Sequence, residues 1–402
     1  MRRKGIKIKR NHKNLYKKRK STGRKVAEAV LLIIIVGALI FLGYSVAPAV
    51  INFFNERAES SSQESEPVWT PPVSVDSESS DSSQPPETDE PVESTPDEVQ
   101  EVTLVAPLIA LDSAQALKNY LDSVKDSCTT VVFTLKNEDG ELLYKSTVKT
   151  AQEDYALIGK LTLQQIVSAC NEAGVKPAAA FNTLLDRTTP HLISKSSYRA
   201  TEGWMWLDNS IDRGGKPWTS PLVSETGEYF AELTAEIAGA GFEVILLQNT
   251  MYPNFRAYDY NLLPSNVRAA DRSDRLAEVL AACAAGAKGA QSYAEIDAAD
   301  LLAASVTDYD GTAEVWQSIG KAAGCKVIIN IDTALFGTSV TAGKNEIKVN
   351  KNPQSAIPQL IGEIKKITGS TEIGIRISGN ISDADLMQSI VQGVGIDTVM
   401  VG

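Results

Sequence analysis

The chain has 402 residues and a formal net charge of −11, with only two histidines, His12 and His191, and four widely spaced cysteines, Cys128, Cys170, Cys283 and Cys325. Two histidines nearly exclude histidine-ligated metal catalysis and His-based triads, and the cysteine spacing excludes a zinc ribbon or a redox dithiol motif. No metal and no cofactor are expected, so acid-base chemistry falls to carboxylates.

The charge is placed unevenly. Residues 1–25 hold 13 Lys or Arg and no Asp or Glu, a block that cannot fold alone and reads as a cytoplasmic tail. Residues 26–54 follow, with no Asp, Glu, Lys or Arg from Ala29 to Asn55 and the core Val30-Leu31-Leu32-Ile33-Ile34-Ile35-Val36. About 20 apolar residues cross a bilayer as a helix, and the basic flank stays inside. The sequence thus predicts a single-pass protein of the cell membrane in a Gram-positive-type envelope, its amino terminus cytoplasmic and its carboxyl-terminal domain extracellular. A cleaved signal is the alternative, since Ala47-Pro48-Ala49 resembles a cleavage site, but the apolar core is too long for one. Lipid headgroups and topology account for the basic tail, and no nucleic-acid partner is expected.

Residues 55–101 are rich in Ser, Glu, Asp and Pro, as in Pro85-Pro86-Glu87-Thr88-Asp89-Glu90. Such composition buries too little apolar surface to fold and predicts an extended, disordered acidic linker. From residue 102 to 402 short apolar runs alternate with amphipathic stretches. Eight strands are predicted: Val102 to Ala110, Thr130 to Leu135, Lys176 to Phe181, Glu243 to Leu247, Ala290 to Ile296, Lys326 to Ile331, Glu372 to Ile377 and Asp397 to Val401. Their β-branched enrichment without polar alternation suits parallel strands buried on both faces. Helices are predicted at Ser113 to Val124, Thr162 to Ala173, Gly227 to Ala240, Ser273 to Ala285, Thr312 to Ala323, Gln354 to Ile367 and Asp383 to Val391. The Leu163, Ile166, Val167 and Cys170 stripe ends at Gly174, a helix stop. This alternation fits an α/β (β/α)8 TIM barrel whose last helix is missing after Gly402. A doubly wound open sheet would place a Gly-rich phosphate loop after the first strand, where this chain has Leu111-Asp112-Ser113.

A barrel of this kind works at the carboxyl ends of its strands. Candidates there are Lys136 and Asn137, Asn182 and Asp186, Gln248 and Asn249, Glu295 and Asp297, Asn330 and Asp332, and Arg376 and Ser378. Two carboxyl groups flanking a glycosidic bond suffice for hydrolysis, and Asp186, Glu295 and Asp332 could supply them. Each is equally readable as a helix cap or structural hydrogen bonder. The insertion after the third strand carries Tyr198, Trp204, Trp206 and Trp218, and Tyr252, Phe255, Tyr258 and Tyr260 follow the fourth. Flat rings stack on sugar faces; an aromatic minicore holding a long loop is the competing explanation.

Several segments, in order, resemble a family of bacterial envelope proteins described as a glycosyl hydrolase domain, a TIM-barrel group related to α-amylase-like glycosidases. Val131 to Gly140 with Tyr144-Lys145-Ser146 looks like its second strand and hairpin, where an Asp usually stands at Thr134. Ala179 to Asp186 is similar to its third strand, with Ala180 replacing an Arg. Trp218-Thr219-Ser220-Pro221 resembles a Trp-x-x-Pro element. Gly241 to Pro253 resembles the most distinctive strand, except that Gln248, Asn249 and Met251 stand where the family has Asp, Tyr and Arg. The resemblance spans about residues 103 to 340. It implies a glycoside hydrolase acting on a cell-wall or extracellular glycan; from their places at strand ends and in the aromatic loops, Glu295 is expected as general acid, Asp186 or Asp332 as its partner, and Trp204, Trp206, Trp218, Gln248, Asn249, Tyr252 and Arg376 as substrate-binding residues. Gln248 cannot be a carboxylate nucleophile, so a degenerate barrel that binds a glycan or an envelope protein without turnover stays open beside it.

Overall fold

Short runs such as Val131-Val132-Phe133 and Val327-Ile328-Ile329-Asn330-Ile331 form strands that pair side by side in parallel. In the computed structural model these are β1 (Thr103–Val105), β2 (Thr130–Lys136), β3 (Lys176–Asn182), β4 (Val244–Gln248), β5 (Gln291–Asp297) and β6 (Cys325–Asp332), then β7 (Ser339–Ala342) and β8 (Asn345–Lys348), and finally β9 (Ile373–Ser378) and β10 (Val399–Val401). The order β1-β10-β9-β6-β5-β4-β3-β2 closes on itself as an eight-stranded barrel, and β7 and β8 form a separate antiparallel hairpin. The structure describes residues 102–152, 156–269, 271–303, 316, 319, 321, 322, 324–369, 371–381 and 383–402. The expected tail, membrane span and linker over residues 1–101, and most of the helix expected at Thr312 to Ala323, lie outside them. Among the described residues no helix is long and apolar enough to cross a membrane.

All eight barrel strands fall where the apolar runs predict them. The first is shorter than expected: Pro107 has no N–H to give a ladder, and Leu108–Leu111 coil into a 3-10 turn instead. The β7–β8 hairpin carried no signal, because its strands are short and mostly exposed.

The helices that follow the strands are α1 (Ala114–Val124), α2 (Leu163–Ala173), α3 (Ser224–Gly239), α4 (Arg272–Gly286), α5 (Ala298–Ala303), α6 (Pro353–Thr368) and α7 (Ala384–Gly393). Their starts obey local chemistry. Ser113 Oγ accepts from Ala116 N ahead of α1, and Thr162 and Gln165 form a reciprocal capping box ahead of α2. Gly174, at φ 75°, ends α2 in the left-handed conformation that a side chain would oppose. Helices α3 and α4 touch so closely that a Cβ on Gly286 would lie 2.2 Å from the Ala231 carbonyl oxygen.

Residues alternate between two buried faces, as strand pleating requires. Val131, Phe133, Phe181, Ile245, Leu247, Ile329 and Ile375 belong to the large core beneath the helices. Val132, Ala178, Ala180, Leu246, Tyr293, Ile328 and Met400 form a second, smaller cluster that plugs the barrel. Each aliphatic side chain so buried contributes about 1.5–3 kcal/mol. The period of two has a consequence one step along each strand. The residues two beyond the plug, Thr134, Asn182, Gln248, Glu295 and Asn330, face the same way and are polar.

Candidate active site

Those polar residues form the floor of a cleft of about 550 Å³ at the carboxyl ends of the strands, the end at which barrels of this kind carry out chemistry. Glu295 and Arg376 lie at its centre. Arg376 Nη1 donates to both carboxylate oxygens of Glu295 at 3.0 Å, and Gln248 Nε2 donates to Oε1 at 2.9 Å. The guanidinium is itself held, since its Nε and Nη2 donate to the Gly402 oxygen at 3.2 and 2.9 Å. Burial pushes the Glu295 carboxyl above the usual carboxylate range; Arg376 and the Gln248 amide pull it down, and the charge of Asp297 adds to the rise. Desolvation is the largest of these influences, and the net shift is upward.

Farther out on the same faces stand Asp297 and Asp332, both exposed. Asp297 Oδ1 accepts from Asn330 Nδ2 at 2.7 Å, and Asp332 Oδ1 accepts from Ala334 N at 2.8 Å; both residues line the cleft. On the opposite wall the turn after β2 brings Glu138 and Asp139, with Asp139 paired to Lys216 at 2.9 Å and to Arg187 at 3.1 Å. At the end of β4 the backbone turns left-handed at Asn249, φ 53°, a conformation Asn tolerates better than most residues. Its side-chain amide donates to Asn182 Oδ1.

Asp186 stands elsewhere. It is fully buried, and its carboxylate accepts from Lys136 Nζ at 2.7 Å, Thr188 N at 2.7 Å, Thr189 N at 2.9 Å and Thr189 Oγ1 at 2.5 Å. No lone pair faces the cleft, and the expectation that Asp186 pairs with Glu295 across a glycosidic bond is corrected on that ground. The reason lies in β2, whose register slips between Thr134 and Lys136. Lys136 thereby leaves the inner face and enters the layer between barrel and helices, where its ammonium stands 5.3 and 5.0 Å from the ring centroids of Phe181 and Phe230 and bonds the Asn182 carbonyl at 2.7 Å. Burial lowers the Lys136 pKa, opposed by the Asp186 charge.

The expected aromatic binding residues divide. Trp206 and Tyr252 are buried with Tyr198 and Phe255, Trp206 lying 4.9 Å from Phe255 between centroids and donating its Nε1 to Asp259 at 3.1 Å. They form the minicore that was the competing explanation, and no aromatic side chain lines the cleft among the described residues. Trp218 is half-buried and donates to Asp208 at 3.2 Å. Trp204 is 46% exposed and lines a separate, largely apolar groove of about 890 Å³ with Ile211 and Tyr258. Sequence reasoning missed Glu138, Asp139 and Lys216 as cleft residues, although the first two sit in the Asn137 to Gly140 turn that carries the resemblance. The adjoining Tyr144-Lys145-Ser146 segment has a visible role: one carboxylate of α3, Glu236, accepts from Tyr144 Oη (2.9 Å), Ser146 Oγ (2.6 Å), Thr147 N (2.5 Å) and Thr147 Oγ1 (2.6 Å), fastening the loop after β2 to α3.

No curated protein matches the chain. Among solved structures, a hypothetical protein from Ruminiclostridium thermocellum is similar at 18% identity, over 45% of this chain and 90% of that one, with a TM-score of 0.39. The glycoside hydrolase domain of PgaB (BpsB) from Bordetella bronchiseptica is similar at 11% identity, over 75% and 93%, with a TM-score of 0.48, and that of PelA from Pseudomonas aeruginosa at 11%, over 75% and 94%, with a TM-score of 0.38. A family model matches residues 106–324, more than half of the chain, and so takes in the cleft residues of β2 to β5 but not Asp332 or Arg376. With that match laid over a closed parallel barrel, the chain belongs to the family described as "putative glycosyl hydrolase domain".

Proposed function

We propose that the chain is a glycoside hydrolase held on the outer face of the cell membrane, with Glu295 as general acid and Asp332 as the base that activates water. The observation that carries this is Glu295 itself, a carboxyl raised in pKa by burial on the floor of the barrel mouth. Gln248 offers no carboxylate to form a glycosyl-enzyme ester, and the proposed chemistry is direct displacement by water. Glu295 is in register with Ile328; Asp332 therefore stands four residues farther along the next strand, roughly 14 Å from Glu295 between Cα atoms. The proposed pair is the wide, water-holding one of an inverting enzyme, about 6.5–9.5 Å between carboxyls. Asp297, two residues from Glu295 on the same strand, adds a negative charge that raises the Glu295 pKa.

The test is turnover on wall and exopolysaccharide fragments, read as reducing ends. Glu295→Gln and Asp332→Asn are each expected to reduce kcat by about 10²- to 10⁴-fold, while Asp297→Asn moves the basic limb of the pH profile down. Product anomers resolved by NMR should be inverted. Binding of fragments with no release by the native chain would defeat the enzymatic reading and leave the alternative, a barrel that binds without turnover. Residues 26–54 supply the proposed span and residues 55–101 the linker. Extraction of the full chain from membranes by alkaline carbonate would refute the anchor.

A further inference from the structure

The charges around the cleft do not balance, and the imbalance identifies a ligand. Its two cations are already engaged, Arg376 with Glu295 and Lys216 with Asp139. Glu138, Asp297 and Asp332 remain, and no lysine or arginine pairs with them among the described residues. Glu138 sits on one wall and the two aspartates on the other, so the negative potential spans the opening. No three acidic side chains, among the described residues, converge closely enough to hold a metal ion. The cleft also has an excess of acceptors: the Asn330 side-chain oxygen is buried and accepts no hydrogen bond, while the amide nitrogen donates to Asp297. A neutral sugar is commonly gripped by stacking on an aromatic face, and the described lining has no ring. The ligand that fits is rich in donors and positively charged.

We infer that the cleft selects a cationic glycan, one containing 2-amino-2-deoxyhexose units with free, protonated amino groups. This rests on the reading of the cleft as a glycan site and names its substrate class. An ammonium group supplies three donors and a charge to carboxylates on either wall, whereas N-acetylation removes the charge and two of the donors. A uronic acid polymer would meet like charge on both sides.

The experiment compares β-linked glucosamine tetramers, fully de-N-acetylated and fully N-acetylated, binding to the full-length chain in detergent in a mildly acidic buffer. Short oligomers are used because residues 55–101 are also acidic, and Glu138→Gln and Asp297→Asn separate the two sites. Tighter binding of the de-N-acetylated tetramer, weakened by salt and by about two- to fivefold in each variant, is the expected result. Equal or tighter binding of the N-acetylated tetramer would overturn the inference. So would binding of the cationic tetramer that both variants leave unchanged, which would place it on the linker. Reducing ends are followed in the same samples. Cationic binding without cleavage sinks the hydrolase and spares the selectivity; cleavage of the N-acetylated tetramer alone does the reverse.

Discussion

Asp186→Asn separates a structural carboxylate from a catalytic one. Both Asp186 and Lys136 have side chains with no exposure, and the carboxylate receives four hydrogen bonds, one of them from the ammonium. An asparagine oxygen in the Oδ1 position can still accept from Thr188 N and Thr189 N. The amide nitrogen, in the Oδ2 position, then points two N–H groups at Lys136 Nζ and Thr189 Oγ1, and the buried ammonium loses its counter-charge. Removing one partner of such a pair costs about 3–5 kcal/mol, a large share of the roughly 5–15 kcal/mol that holds a domain together. Urea unfolding followed by tryptophan fluorescence reads the loss as a lowered midpoint. Lys136→Met in the same background removes the stranded charge and should recover part of it. A shift below about 1 kcal/mol for Asp186→Asn, with turnover abolished, would return Asp186 to the chemistry and refute the placement argued above.

Two further perturbations test the surroundings. A Cβ on Gly140 would lie 1.8 Å from Asp186 Oδ1, and the backbone there has φ 82°; Gly140→Ala is expected to cost more than the ~1 kcal/mol of left-handed strain alone, and an unfolding midpoint equal to the native one would count against the tight turn. Gln248→Glu replaces the donor 2.9 Å from Glu295 Oε1 by a second carboxyl, so the pair shares a proton and the Glu295 carboxyl rises further. A raised folded pKa contributes stability fully present below the unfolded value and lost as pH rises through the folded one. The variant should therefore match the native melting temperature in acid and fall behind it toward neutral pH, and a gap that does not change with pH would contradict this.

The barrel was legible because closure is written in the pattern that strands buried on both faces must have. Val131-Val132-Phe133 and Ile328-Ile329-Asn330-Ile331 lack polar alternation for that reason, and Thr162, Ser113 and Gly174 mark helix ends by chemistry that needs only neighbouring residues. Glu295 and Arg376 were likewise readable, as polar residues ending apolar runs. Asp186 was not. Its position after β3 looks the same as that of a rim residue, and only the slipped register of β2, which sends Lys136 outward, decides that it is buried. The walls were hidden for a related reason, since Glu138 and Lys216 reach the cleft on loops whose course no periodicity reports. Trp206 was misleading in the same way: loop aromatics are equally suited to sugars and to one another, and a partner as distant in sequence as Asp259 settles which.

The slip in β2 also explains how one end of the barrel serves two opposed demands. A chemical site needs groups whose charges are poorly solvated or unbalanced, which costs stability, and the loops carrying them need anchors. By moving Lys136 to the outer face, the chain places its one fully buried ion pair among the described residues behind the wall of the cleft, where it ties the turn after β2 to the loop after β3 through Asp186, Thr188 and the Asp139 carbonyl. The Glu236 clamp repeats the device on the other side of the same turn. The inner face is then left with a carboxyl that burial favours as an acid and with aspartates open to solvent. Gln248 fits this division, because its amide donates to Glu295 where a carboxylate would compete with it for a proton.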